Sequence, residues 1–333
     1  MRAVFNAGRS ADTRPSIFPI RPFVLPPLIA FVLDYIALPL VIFTIAYEPN
    51  FPHGYLIYLE TSQHLSVIHA IFHGKILYKD IYFLFGPLSY YEPALVMLIF
   101  GKTLAVLKGF LVSGWILSYL ALYFIARLVI KNRFFIYLAA FLIVVEMHSP
   151  FWCTVWGGFR FTFGYFSIFA LVLFIEKQKI FFSWLSGFFA SLCLLSSWDQ
   201  GLGCALSAAF FLIYYNHFTV VNKNLIRTSG VITSYLYGIL TVMAPFIGTL
   251  LFSGSLDAFI REMLLLGTRK AWAQPIRLGD HSLIKVLYPA VVYFISFMVI
   301  GCQTFFKKKL EPGYLPLFLL STFGAIGYIY CFR

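Results

Sequence analysis

The 333-residue sequence predicts an all-α fold, a polytopic transmembrane helix bundle of about 9–10 spans with an amphipathic helix in its first outer loop. Three observations predict it. Hydrophobic residues make up 61% of the chain and charged residues 11%, against about 25% charged in soluble domains, so a water-facing fold could not hide the apolar surface. The apolar residues fall into runs separated by short polar segments. The basic residues sort by side when those runs are threaded through a bilayer. The 39 Phe and 21 Tyr exclude a disordered chain. Five cysteines (Cys153, Cys193, Cys204, Cys302, Cys331) form no CxxC pair and read as small core residues. A net charge of +12 invites a nucleic-acid reading, but the cations are scattered between apolar runs and form no groove-sized patch.

A span must cross about 30 Å of hydrocarbon, which takes about 20 residues. Candidate spans lie at about 26–47, 105–130, 134–148, 161–176, 180–197, 202–220, 229–252, 283–305 and 314–332, all within a single transmembrane domain covering 1–333. The first has Pro26 and Pro27 at its opening turn, where proline suits a helix start. It lacks a small-x-small cleavage site and reads as an anchor. The stretch 87–101, PLSYYEPALVMLIFG, differs: Pro87, Glu92 and Pro93 leave it few clean apolar residues, so it reads as re-entrant.

With 87–101 re-entrant and the N-terminus cytoplasmic, the inner segments hold 14 of the 25 basic residues and three of the 13 acids. The outer side holds 11 cations against nine acids, and Asp34 lies within the first span. That asymmetry follows the positive-inside rule. The bias to Phe, Ile and Lys and the short loops point to a bacterial inner membrane. Asp34, placed in hydrocarbon, requires a partner or a cavity.

The outer segment 48–86 contains four of the seven histidines, together with Glu60, Lys75, Lys79 and Asp80. Over 56–73, Leu56, Leu59, Ile68, Ile71 and Phe72 alternate with Glu60, His64 and His73, the pattern of a helix lying on a membrane face. Glu60 and His64 are one turn apart, as are His69 and His73, so either pair could share a face. Such pairs can ligate a divalent metal. They equally suit a wetted interfacial helix, and no HExxH spacing is present. A lone carboxylate such as Glu60 is either a solvated residue or a catalytic one.

Two further polar clusters follow. Glu146, His148, Trp152, Trp156 and Arg160 surround one short outer loop, and Asp199 stands in SSWDQGLG at the outer end of two spans. The third cluster begins with an outer basic loop at 255–282 and includes Arg261, Arg269, Lys270, Arg277 and, just beyond it, Lys285, with Ala258, Phe259, Met263 and Leu266 along one side of an interfacial helix. These cations either meet anionic head groups or bind a lipid-linked phosphate, for which arginine's fork is suited.

The stretch from Glu60 to Gly101, ETSQHLSVIHAIFHGKILYKDIYFLFGPLSYYEPALVMLIFG, combines an early loop acid, an amphipathic helix, a G-x-x-x-Y-x-D turn and a Gly-Pro-Leu re-entry with tyrosines. It resembles the C-type fold of polytopic glycosyltransferases, in particular the bacterial relatives of the protein mannosyltransferases and the lipid A aminoarabinose transferase (the glycosyltransferase family 39-like group). SSWDQGLG is similar to a polar motif between two spans in such chains. The resemblance covers about 40 residues in motifs and otherwise rests on span layout. The sequence departs from the pattern in having Gly86-Pro87 where two prolines are common and Glu60 where aspartate is frequent. Such chains usually continue through further helices, so the apolar run reaching Arg333 reads as the end of a partial chain.

The resemblance implies transfer of a hexosyl or pentosyl group, with inversion, from a polyprenyl-phosphate donor on the outer face to a lipid, glycan or protein acceptor. Glu60 would be the base and Asp80 would fix the loop or assist the acceptor. Arg160, Arg261, Arg269 and Lys270 would meet the donor phosphate. Tyr78, Tyr90 and Asp199 would contact substrate. No cofactor is required and a divalent metal is optional, because the lipid phosphate is already an activated leaving group. The expected partners are the lipid-linked sugar, the acceptor and membrane lipids, with no nucleic acid. Two other readings stand beside it: a polytopic transporter or flippase, against which no inverted repeat of hydropathy is found, and a non-catalytic membrane subunit.

Overall fold

The computed structural model describes residues 25–47, 58–81, 86–130, 132–147, 159–218 and 228–268, together with 291, 293–299, 302, 319–320 and 322. The protein is all-α. The first helix, α1, runs as Pro27–Val32, a π-helical turn Leu33–Ala37, and Leu38–Ala46. Then come α2 (Tyr58–Phe72), α3 (Leu88–Phe100), α4 (Leu104–Val129), α5 (Arg133–Met147), α6 (Phe159–Lys177), α7 (Ile180–Ser196), α8 (Trp198–Phe218), α9 (Thr228–Phe252) and α10 (Leu256–Thr268). The predicted spans at 283–305 and 314–332 lie largely outside the described residues.

Among the described residues, three helices are long and apolar enough to cross a membrane: Pro27–Ile45, Leu104–Val129 and Gly230–Phe252. Several of the others are apolar but shorter. Large apolar side chains face outward, among them Leu28 at 74% exposure and Phe252 at 96%, a surface suited to hydrocarbon. The interior is built for close helix approach. A Cβ on Gly187 would strike the Tyr235 carbonyl in α9, and one on Gly238 would strike the Trp184 carbonyl in α7, so the glycines let the two backbones touch. Hydroxyls bridge the same interfaces: Ser183 donates to Val231 O at 2.8 Å, Ser167 and Ser186 share a bond of 2.9 Å, and Ser118 and Thr162 one of 2.8 Å. Small residues with interhelical hydroxyl bonds are the means by which helices associate where lipid removes the hydrophobic drive between them.

The contacts also fix which helix ends lie together. Phe110 stacks on Phe159, and Ser118 meets Thr162, so α4 and α6 run parallel. Asp34 meets Tyr123 and Arg127, whereas Ile42 packs with Tyr119, so α1 runs antiparallel to α4. One end of the bundle therefore gathers Asp34, Arg127 and Arg133; we call it the arginine end. The opposite end, the loop end, gathers α2, the 74–81 turn, the start of α3, the α7–α8 junction and α10. The stretch 87–101, expected to be re-entrant, forms one continuous helix, α3. Ser89, in the first turn of α3, donates to Ser196 O at 2.5 Å. Lys102, just past its last turn, lies 4.2 Å over the Phe72 ring of α2. Both ends of α3 thus stand at the loop end, and the chain enters α4 on the side from which it entered α3.

Candidate functional site

The loop end brings together three segments that are remote in sequence and that carry the polar clusters: α2 with its following turn, the SSWDQGLG junction, and α10. Their common floor is an apolar cluster of Val67, Ile68, Leu77, Tyr78, Tyr90, Ala94, Met97, Leu107, Leu111 and Leu250, with Trp198, Phe246, Phe259 and Met263 packed against it. From α2, His64, Val67, Ile68 and Ile71 recur at helical spacing and turn inward. This corrects the polar-face reading of His64. Its imidazole is buried and stacks on Tyr90 at 4.8 Å, because α3 supplies an aromatic face where open water was expected. His69 and His73 do share an exposed face, with ring centroids 4.2 Å apart and His73 Nδ1 2.8 Å from the His69 carbonyl. Among the described residues, no group of three metal-ligating side chains forms.

The turn after α2 is fixed by its own acid. The Ile76 amide donates to Asp80 Oδ2 at 2.8 Å and the Asp80 amide donates to Ile76 O at 2.9 Å, a reciprocal pair that closes the G-x-x-x-Y-x-D loop. Asp80 therefore fixes the loop. Lys79 anchors it across the bundle by donating to Ser253 O at 3.1 Å. Tyr78 adopts φ 67°, a left-handed conformation that is costly for an aromatic residue and persists where the surroundings impose it. Here its amide donates to Ile81 O at 3.0 Å and its ring meets the Phe259 edge at 5.1 Å. Burial holds its phenol well above the usual range. Tyr90 is wholly buried. The two tyrosines thus join the turn, α3 and α10 into one body.

The remaining candidates are placed by backbone. Glu60 lies in the first turn of α2, one turn before His64; Arg160 opens α6 and Asp199 opens α8. Their side chains lie outside the described residues, as do Arg269 and Lys270 altogether. Arg261 is exposed on α10 and pairs with Asp257 at 2.9 Å. Its helix presents Phe259 and Met263 to the apolar cluster, in line with the predicted apolar side.

The sequence reading passed over three charged residues at this end. Glu92 Oε2 on α3 and Glu262 Oε2 on α10 are both buried without a hydrogen-bond partner. Glu92 sits one turn after Ser89, the residue bonded to α7. Lys108 is buried in the second turn of α4, between Leu107 and Leu111 of the apolar floor. A carboxylate beside proline in an otherwise apolar helix was the available signal for Glu92, and it was used only to disqualify a span. Burying a carboxylate oxygen without a partner costs about 1–3 kcal/mol, so its retention points to a use other than stability. No family model, curated protein or solved structure matches this chain.

Proposed function

We propose that the protein is a multi-pass membrane glycosyltransferase that takes a sugar from a polyprenyl-phosphate donor and passes it to a lipid, glycan or protein hydroxyl, working on the outer face of a bacterial inner membrane with its N-terminus in the cytoplasm. The observation that supports this reading is the convergence at the loop end. The acid-headed helix, the Asp80-closed turn, the Gly-Pro-Leu re-entry and the α10 helix meet over one floor, and these are the segments that carry the resemblance to the C-type glycosyltransferases and the candidate phosphate cations.

The chemistry divides among these parts. Glu60 accepts the acceptor's hydroxyl proton, a role that typically contributes about 100- to 10,000-fold. The freed oxygen forms a bond to the anomeric carbon, and the bond from that carbon to the phosphate oxygen breaks on the opposite face, inverting the centre. Polyprenyl phosphate leaves, and its charge is met by cations drawn from Arg160, Arg261, Arg269 and Lys270, with buried Lys108 adding a positive charge at the same end. Asp199 contacts substrate from the α8 start, while buried Tyr78 and Tyr90, expected at the substrate, instead hold the turn and α3 in place. A divalent metal is not required by this scheme.

The test is transfer from a radiolabelled polyprenyl-phosphate sugar in proteoliposomes. Glu60→Gln is expected to lower transfer at least 100-fold with normal expression and helix content. Full transfer by that variant removes Glu60 as the base. Solute flux with no glycosylated product would instead favour a transporter.

A further inference from the structure

The arginine end carries a site of a different kind. Asp34 is 1% exposed; Arg127 Nη2 lies 3.1 Å from its Oδ2 and Arg133 Nε lies 3.6 Å from the same oxygen. Tyr137 donates to Oδ1 at 3.2 Å, and Tyr123 donates to the Asp34 backbone carbonyl at 2.8 Å within the π-helical turn. One guanidinium would neutralise this carboxylate. Two are present, and Asp34 is the acid they share among the described residues. The second, partly exposed guanidinium leaves a positive charge beyond the carboxylate, which an anion can meet. Neither arginine is fully enclosed, since their side chains remain 25% and 26% exposed. Arg127 meets the carboxylate through Nη2 and Arg133 turns its buried Nε toward it, so neither guanidinium is used up by the pair. The helices that carry Asp34 and Arg133 expose apolar side chains in the same stretches, Leu28 and Phe31 of α1 and Phe134 and Leu138 of α5.

We propose that this cluster seats the phosphodiester of an anionic phospholipid, with the donors of Arg127 and Arg133 that are not turned to Asp34 on the phosphate oxygens and the acyl chains along Phe31, Phe134 and Leu138. Arginine forks match phosphate oxygens in pairs. Basic pockets between helices at a membrane surface are where such head groups bind. The flanking apolar side chains select a lipid phosphate over a soluble one. Asp34 holds the two forks in place and, by its own charge, keeps the site from trapping the lipid irreversibly. The cluster stands at the opposite end of the bundle from the candidate transfer site, so it does not depend on that reaction.

The experiment uses the full-length protein in detergent, exchanged with equimolar phosphatidylglycerol and phosphatidylcholine, with bound lipid counted by native mass spectrometry. The parent is expected to retain phosphatidylglycerol over phosphatidylcholine. Arg127→Gln and Arg133→Gln each leave Asp34 with one guanidinium and Tyr137, and each should lower that ratio about tenfold, the loss of one charge-assisted bond. Lys177→Gln, which removes a cation from the C-terminus of α6 at the same end, should leave it unchanged. A large excess of inorganic phosphate should not displace the lipid; displacement would overturn the lipid as the ligand. Equal retention of the two lipids by the parent overturns the proposal even if a variant fails to fold. So does a parental ratio in both glutamine variants.

Discussion

At the arginine end a buried carboxylate is held by two guanidiniums at 3.1 and 3.6 Å and a phenol at 3.2 Å. At the loop end Glu92 and Glu262 each keep a carboxylate oxygen away from solvent with no hydrogen-bond partner. The first arrangement ties α1, α4 and α5 together. The second spends stability where three remote segments meet. The difference teaches that charge is buried in this bundle for two purposes, and that the unpaired acids mark the end where chemistry is to be sought.

Removing the shared partner should have the largest effect. Asp34→Ala leaves two guanidiniums facing each other without their carboxylate, and breaking a buried pair in this way costs about 3–5 kcal/mol. The expected result is a large fall in the thermal unfolding midpoint and faster proteolysis next to α1. A fall of only a few tenths of a kcal/mol would mean that the cluster is solvated, and the contrast between the two ends would disappear. At the loop end the largest effect should come from Gly86→Ala. A Cβ there would strike the Leu195 backbone carbonyl, and neither partner can rotate away. Overpacking of this kind costs about 1–3 kcal/mol. Because α3 would be pushed off α7, the Ser89 to Ser196 bond should be lost with it, and sugar transfer should fall more than stability does.

The all-α class and most helices were legible in the sequence because apolar runs of helical period dominate it. That 87–101 differs from the other apolar runs was legible too, since Pro87, Glu92 and Pro93 interrupt it, and α3 has Ser89 on α7 and Lys102 over α2. The need of Asp34 for a partner was readable from its position, but its partners were not. Arg127 and Arg133 served in the sequence only as markers of side, and their pairing depends on the antiparallel crossing of α1 and α4, which no local pattern encodes. His64 was misplaced for a related reason. A histidine on an amphipathic helix scores as polar, and only the tertiary contact with Tyr90 turns it inward. For Asp80 the resemblance implied either fixing the loop or assisting the acceptor, and the bond it makes to the Ile76 amide is local.

Glu92→Met tests the loop end with the opposite sign. Replacing a carboxylate that has an unpartnered buried oxygen by an apolar side chain of similar length should raise stability by about 1 kcal/mol, visible as a higher unfolding midpoint. If the acid serves the transfer reaction, the same variant loses activity, the trade expected where a site is kept at the expense of stability. A stabilised variant with parental transfer would leave Glu92 without a use, and a destabilised one would show that the carboxylate has a partner after all.

The smallest effect should come from the ion pair on α10. Arg261 and Asp257 lie one turn apart and are 2.9 Å from each other, with side chains 70% and 87% exposed. Water and salt screen such a pair, so Asp257→Ala should change stability by less than about 0.5 kcal/mol. It does release the guanidinium. If Arg261 meets the donor phosphate, freeing it should lower the KM for the lipid-linked sugar while kcat stays put, because a competing anion has been removed. An unchanged KM would take Arg261 out of the donor site and leave that role to cations elsewhere at the loop end, so a substitution nearly silent in stability still separates a binding arginine from a surface one.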